Sequence, residues 1–421
     1  MNDLEDRLRH DLKTLAQRAQ SETIRPLREP APRRVGAVRW LAPLAAVAAV
    51  IAVISAVTLG RGMVSNQPAN GTVSCRPASA GAPAGMPPYY VALHEAARNN
   101  RIVIGVTVRS SASGAALCSL MIPTGVWIPQ RAEATLQDGV PTTITAAADD
   151  RTFAISAFKL EKPVKPFTPA VPTVYLLRIA ANGRSARLGQ LPVNAPTGSL
   201  YAASLSPDGR RLAIQVVECS PHIPTYCGGG LEVISLPSGS ASKVWLAPGT
   251  EPLDDQEPAQ WVDGGRQLLF LVDVPATPKL MGYRVLNVSS PSGSLITNSR
   301  LIPSPPLYRY LSSPAALLTP DGTELISTEY SDRGHLGNET VKLVEFSART
   351  GHVLRVLLTV TQVMPMDDDN ICGVESMAAE GSHFLVQCPG FGRLDNGRFT
   401  PLPGVPSSLA QALSAGDNAA W

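Results

Sequence analysis

A polar turn followed at once by an apolar, β-branched run recurs along most of this chain. It reads LSPDGRRLAIQVVE at 205–218, WVDGGRQLLFLVDV at 261–274 and LTPDGTELISTEYS at 318–331, with weaker copies AADDRTFAISAF at 147–158 and AEGSHFLVQC at 379–388. Asp in such a turn bonds its own backbone and Gly supplies a positive φ, so each copy predicts two antiparallel strands joined tightly. Asp208, Gly209, Asp321 and Gly322 are accordingly read as structural turn residues, their carboxylates bonding amides rather than ligands. A second strand pair follows most copies: VYLLRIAANGRSARLG (174–189), LEVISLPSGSASKVW (231–245), YRVLNVSSPSGSL (283–295) and VKLVEFSARTGHVLRVLL (341–358). Four strands per unit, at spacings of roughly 40 to 55 residues, describe the blade of a β-propeller.

RIVIGVTV (101–108) and AALCSLMI (115–122) supply one more unit, and six blades result, near 89–135, 140–195, 196–250, 253–305, 308–362 and 370–421. The expected fold is all-β, a six-bladed propeller over 89–421, with a seventh blade open if the long loops hide one. A pair of β-sandwiches is the competing architecture, and near-constant unit spacing favours the propeller. Composition agrees: 38 Pro and 34 Gly with 17% charged residues point to many turns and few long helices, and 44% hydrophobic residues supply a large core.

Ahead of the repeats lies WLAPLAAVAAVIAVISAVTLG (40–60), 21 residues without a charge, long enough as a helix to cross the roughly 30 Å hydrocarbon core of a bilayer. Residues 1–40 carry nine Arg or Lys against six Asp or Glu, and Arg25, Arg28, Arg33, Arg34 and Arg39 sit just before the span. This bias predicts a cytoplasmic N-terminus and an extracytoplasmic propeller. A cleaved signal peptide is the rival reading, but its charged region would be unusually long and no convincing A-x-A site follows. Residues 2–20 place Leu4, Leu8, Leu12 and Leu15 on one helical face, so 1–39 reads as a short cytosolic amphipathic helix and an Arg/Pro-rich linker. That helix is either a solvated tail or a docking face for a cytoplasmic protein. Residues 61–88, rich in Pro, Ala, Gly and Ser, read as a flexible stalk.

All six cysteines (Cys75, Cys118, Cys219, Cys227, Cys372, Cys388) follow the span, as expected of a domain that matures in an oxidising compartment. Six cysteines allow fifteen connectivities. The local set is expected: Cys219 with Cys227 across a Pro-containing excursion, Cys372 with Cys388 within the last blade, and the remaining Cys75 with Cys118. Beyond Gly60 the charge is nearly balanced, 27 basic against 28 acidic, which argues against a nucleic-acid partner.

The Ser206-Pro207-Asp208-Gly209 and Thr319-Pro320-Asp321-Gly322 turns, each followed by an apolar strand and a second hairpin, resemble TolB-type and WD-repeat-like propeller blades. With the Arg-rich tail, apolar anchor and Pro/Ala segment, the chain is similar to single-pass actinobacterial envelope proteins that carry such a propeller outside. The resemblance implies a fold more than an activity. The Trp-Asp blade endings of the eukaryotic WD pattern are missing.

Chemistry is sparsely signalled. His94-Glu95-Ala96-Ala97-Arg98 has Arg98 where a zinc-protease helix needs its second histidine, and Asp367-Asp368-Asp369 lacks a glycine-punctuated calcium loop. Cys219, His222 and Cys227 lack a fourth zinc ligand. No redox C-x-x-C, nucleophile elbow or phosphate loop occurs. The expectation is therefore a membrane-anchored binding, scaffolding or sensing propeller, without catalysis, metal or cofactor, whose partners are the bilayer at 40–60, an envelope protein or ligand on the propeller, and a cytoplasmic protein on the N-terminal helix. The alternatives are a lactonase- or lyase-type propeller enzyme, using carboxylates and His at the central channel, and an anti-sigma-like regulator.

Overall fold

Runs such as TFAISA, RLAIQV and QLLFLV are apolar at nearly every position, and the fold explains why: each strand is buried on both faces. The computed structural model describes residues 71–78, 84–98, 101–127, 143–159, 171–191, 193, 199–220, 223–236, 240–247, 258–272, 282–303, 316–331, 338–363, 373–388, 391–402 and 419–421. These lie in a compact unit, Val64–Trp421. The expected cytosolic helix (1–39) and membrane span (40–60) fall outside the described residues. Among the described residues no helix is long and apolar enough to cross a membrane.

Six antiparallel sheets form the blades of a propeller. Blade 1 holds β2 (Tyr89–Arg98), β3 (Arg101–Ser110) and β4 (Ala116–Trp127). Blade 2 holds β5 (Thr143–Ala146), β6 (Thr152–Lys159), β7 (Val171–Ile179) and β8 (Ser185–Leu191). Blade 3 holds β9 (Ser199–Leu205), β10 (Arg211–Ser220), β11 (Ile223–Ser235) and β12 (Ser240–Leu246). Blade 4 holds β13 (Gln260–Val262), β14 (Gln267–Val272), β15 (Gly282–Asn287) and β17 (Ser299–Leu301). Blade 5 holds β18 (Leu317–Leu318), β19 (Glu324–Ser331), β20 (Asn338–Ser347) and β21 (Val353–Val363). Blade 6 holds β22 (Gly373–Met377), β23 (His383–Gln387), β24 (Phe391–Asp395) and β25 (Arg398–Pro401). There are six such sheets among the described residues and no seventh.

Between neighbouring blades lies an apolar cluster. Phe153, Ile155 and Ala157 of β6 pack toward blade 1 with Val91, Ile104 and Val106, while Ala154, one residue out of phase, joins Leu212 and Ile214 of blade 3. β14 repeats the pattern, with Leu268 and Phe270 facing blade 3 and Leu269 and Leu271 facing blade 5. Strand alternation thus sorts side chains between two cores rather than between core and solvent. Each fully buried Leu, Ile, Val or Phe contributes roughly 1.5–3 kcal/mol.

The ring is closed by strand exchange. The last strand, β26 (Ala419–Ala420), pairs antiparallel with β2 as the innermost strand of blade 1, through Val91↔Ala420 and Ala92↔Ala419. This corrects the assignment of 370–421 to a single blade: the segment's end belongs to the first blade. Trp421 is buried behind it, its Nε1 donating to Ser111 Oγ at 3.0 Å. Arg393 braces the same joint, donating from Nη1 to the Ser111 carbonyl at 2.9 Å and from Nε to Asp395 Oδ2 at 2.7 Å, while Asp395 Oδ1 pairs with Nδ1 of buried His383 at 2.8 Å.

At the other end of the unit, β1 (Thr72–Ser74) adds a fifth, antiparallel strand to the outer edge of blade 2, pairing with β8. Residues 72–74, within the stretch read as a flexible stalk, are therefore propeller structure there, because their backbone groups complete the β8 edge. A disulfide joins the adjacent Cys75 to Cys118 on β4, with Cα atoms 4.7 Å apart. Blade 3 gains a parallel fifth strand, β16 (Gly293–Ser294), borrowed from the β15–β17 connection. The β10–β11 ladder sets Cys219 opposite Cys227. Cys388 is disulfide-bonded; Cys372, its expected partner, lies outside the described residues.

Candidate axial site

The innermost strands of the blades, β5, β9, β13, β18, β22 and β26, surround an axial chamber of about 440 Å³. An innermost strand has one unpaired edge, and here side chains from the next blade fill the gap. Thr145 Oγ1 accepts from Leu205 N–H at 2.9 Å, and Trp261 Nε1 donates to the Ser204 carbonyl at 3.0 Å. Gln260 bonds Leu318 twice, Nε2 to its carbonyl at 2.9 Å and Oε1 from its amide at 2.7 Å; Ser376 Oγ accepts from Trp421 N–H at 3.2 Å. These bonds satisfy backbone groups that would otherwise face the chamber, and they fix its wall.

At one end the wall passes into the turns that follow the inner strands, with Ala148, Asp150, Pro207, Gly264, Pro320 and Ala379 on the lining. The turns touch one another. Ala148 N–H donates to the Pro207 carbonyl at 3.0 Å, and Asp263 N–H to the Pro320 carbonyl at 2.8 Å. Arg211 Nη2 donates to the Gly265 carbonyl at 2.8 Å while its guanidinium lies 4.8 Å above the Trp261 ring.

Four of these turns share one design: residue i+3 donates its amide to the carbonyl of residue i, through Ala147/Asp150, Ser206/Gly209, Thr319/Gly322 and Ala378/Gly381. Gly209, Gly322 and Gly381 have φ of 66°, 75° and 80°. The aspartate before the glycine caps the turn. Asp208 Oδ1 accepts from Arg210 N–H at 3.0 Å and Asp321 Oδ1 from Thr323 N–H at 3.1 Å. Burial pushes Asp208 up, but the Ser206 hydroxyl, the Arg210 amide and the neighbouring arginines together hold its carboxyl below the ordinary range. The Thr319 hydroxyl and the Thr323 amide and hydroxyl do the same for Asp321. Neither carboxylate lines the chamber; both serve the turns.

Asp150 is the exception. It occupies the glycine position at φ 55°, and it lines the chamber mouth. Burial, then the negative charges of Glu380 and Asp149, push its carboxyl up to about 6 against the opposing pull of Arg151. A carboxyl in that range changes charge close to neutrality. In sequence AADDR is a weaker copy of the turn, and its departure from glycine is the signal. Glu375 and Ser204 also line the chamber, on β22 and β9.

Among the described residues no group of three or more His, Cys, Asp or Glu could hold a metal, and no histidine lines the chamber. His94 lies on β2 rather than on a helix, its ring packed over Gly105, where a Cβ would come within 2.2 Å. The 367–369 acidic run falls outside the described residues.

Taken together, the ring closure, inter-blade cores and axial chamber define a six-bladed β-propeller. No protein-family model matches the chain. No curated protein matches it in sequence. Solved structures do: hydrazine synthase of Kuenenia stuttgartiensis (14% identity, 63% of this chain and 80% of that one, TM-score 0.34), prolyl oligopeptidase B from Galerina marginata (10%, 80% and 43%, 0.39), and a puromycin-hydrolyzing peptidase of Mycobacterium tuberculosis (12%, 75% and 46%, 0.35). The chain spans less than half the length of the two peptidases. At these identities the likeness is one of fold.

Against the expectation of a binding, scaffolding or sensing propeller without catalysis, the structures similar in fold are named as enzymes, peptidases among them. The absence of short catalytic motifs says little about a chamber assembled from six separated strands.

Proposed function

We propose that this propeller handles a substrate: the axial chamber takes up a small, mainly apolar molecule through the turn-side mouth, where Asp150 presents a carboxyl to it, as part of an enzymatic process. The chamber carries this reading, being large enough for a ligand of drug-fragment size and walled by side chains locked through inter-blade hydrogen bonds. Saturation-transfer NMR with a panel of one- and two-ring aromatic fragments tests it. Fragments should receive saturation from the protein and lose it in Ala146→Phe, which fills the chamber, provided that variant keeps its unfolding temperature. No response, or the same response in the filled variant, sinks the reading. NMR spectra of the same samples over time show whether a bound fragment is consumed.

The same proposal sets the propeller outside a membrane, anchored through 40–60 with the N-terminus inside, as in the TolB-type and WD-repeat-like actinobacterial envelope proteins the sequence resembles. The uncharged span, the arginines before it and the Cys75–Cys118 bridge support this. Protease added to intact cells should remove the propeller and spare an N-terminal tag; a protected C-terminal tag would reverse the assignment.

A further inference from the structure

We propose that the chamber's ligand is a small protonated amine on an apolar body that also bears a hydrogen-bonding group, its ammonium held at Asp150 and its polar group met by Ser204. The inference rests on the chamber being a ligand site, and it names the ligand's chemistry.

Two observations carry it independently. The first is Asp150 itself, the one non-glycine residue among the four like turns and held at φ 55°. A side chain in that conformation is strained where glycine is not, although Asp tolerates it better than most residues. The turn does not need it, because Asp149 already caps the loop, accepting at Oδ1 from Arg151 and Thr152 N–H at 2.9 and 2.8 Å. The Asp150 carboxylate accepts no hydrogen bond from any described residue. Its charged surroundings are Glu380 from the β22–β23 turn and Asp149 and Arg151 on its own turn, two negative and one positive. An anion brought to this mouth would meet net repulsion, and a cation would relieve it.

The second observation is Ser204. It is 2% exposed, lines the chamber, and its Oγ has no hydrogen-bond partner among the described residues. Its carbonyl is occupied by Trp261 Nε1, so the hydroxyl alone is left over. A buried hydroxyl without a partner is rare in a folded protein and is satisfied when a ligand supplies one. The same lining offers apolar surface, Trp261, Leu317 and Met377 among it. A one-ring amine bearing a hydroxyl offers the matching set of chemistries: a cation for the mouth, an apolar body and a hydrogen-bonding group for the wall.

Isothermal titration of the full chain in nonionic detergent, at pH 7.5, separates the terms with three matched probes: tyramine, phenethylamine (no hydroxyl) and 4-ethylphenol (no amine). Tyramine should bind about tenfold more tightly than 4-ethylphenol, the effect of one partly screened charge-assisted contact, and more tightly than phenethylamine. Asp150→Asn should erase the first advantage and leave 4-ethylphenol unchanged; Ser204→Ala should erase the second. Asp150→Gly, which removes backbone strain, should lose the amine preference while unfolding at a temperature no lower than the parent. Equal binding of tyramine and 4-ethylphenol by the parent, or an amine preference that survives Asp150→Asn, overturns the ligand class while leaving the chamber as a ligand site. Failure of all three probes to bind overturns both.

Discussion

The turns that open blades 2 and 3 are built alike and finish differently. In each, four residues bridge a closing strand pair, and an aspartate in the second loop position, Asp149 or Asp208, gathers the amide two residues on. In each, the next residue is left-handed, at φ 55° for Asp150 and 66° for Gly209. Blade 3 meets that requirement with the residue that has no Cβ, and blade 2 meets it with a carboxyl facing the chamber. The contrast separates two demands that a turn can serve. Residues of all four like turns border the chamber, and only in blade 2 does the left-handed position keep a side chain, at a cost in stability that glycine avoids.

Four substitutions would break or sharpen that contrast, the largest effect first. Gly265, which follows the same inner-strand edge in blade 4 at φ 84°, leaves its missing Cβ only 2.9 Å from Arg211 Nη2 and 3.4 Å from Pro207 Cδ. Gly265→Ala should therefore destabilise by about 2–3 kcal/mol in denaturant titrations, strain and displacement of the arginine together. Gly322 isolates the strain, since no atom of the described residues lies within 4 Å of its missing Cβ. Gly322→Ala should cost about 1 kcal/mol, and an unchanged midpoint would remove the basis for calling Asp150 strained. In the opposite direction, Asp150→Gly should raise stability by somewhat under about 1 kcal/mol, because relief of strain is partly offset by the looser unfolded chain.

The smallest effect is the pH dependence. The folded state raises the Asp150 pKa from 3.8 to about 6, so it holds the proton more tightly than the unfolded chain does. The resulting stability is fully present below pH 3.8 and is lost as pH rises through about 6. Asp150→Asn should match the parent near pH 4 and exceed it above pH 7, by less than about 1 kcal/mol because solvent screens this half-buried group. A gap that is constant with pH would count against the raised pKa. Glu324, raised to about 6 by its contact with Glu345, titrates in the same window but is common to both proteins and cancels in the difference.

The strand pairs were legible in the sequence because each turn is a local event: Ser-Pro-Asp-Gly and Thr-Pro-Asp-Gly specify their own hydrogen bonds within six residues. The two-sided burial was legible too, in runs such as QLLFLV with no polar alternation. Ring closure was not, because Ala419 and Ala420 carry no periodicity and their partners Val91 and Ala92 lie at the far end of the domain. Nor was the role of residues 72–74, a Thr-Val-Ser run too short to show strand alternation, in which only Val73 packs on a core. The chamber escaped for a further reason: its lining is divided among six separated inner strands that supply between one and four residues each, so no stretch of sequence contains the site. Asp150 alone could have pointed there, by comparing the turns with one another rather than each with an ideal turn.

The joint between β26 and β2 also constrains how the molecule is made. Trp421 bonds Ser111 across 310 residues of chain, among the most distant contacts the fold contains. Contacts of such separation form late, since the entropy of closing so long a loop must be met before they return anything. Five blades can therefore assemble in order as the chain emerges, while the first waits for its innermost strand until residues 419–421 have emerged. The chamber has no wall on that side before then. A molecule that fits it can bind only the finished ring, so its presence slows the reopening of that one seam while leaving the assembly of the other five blades untouched.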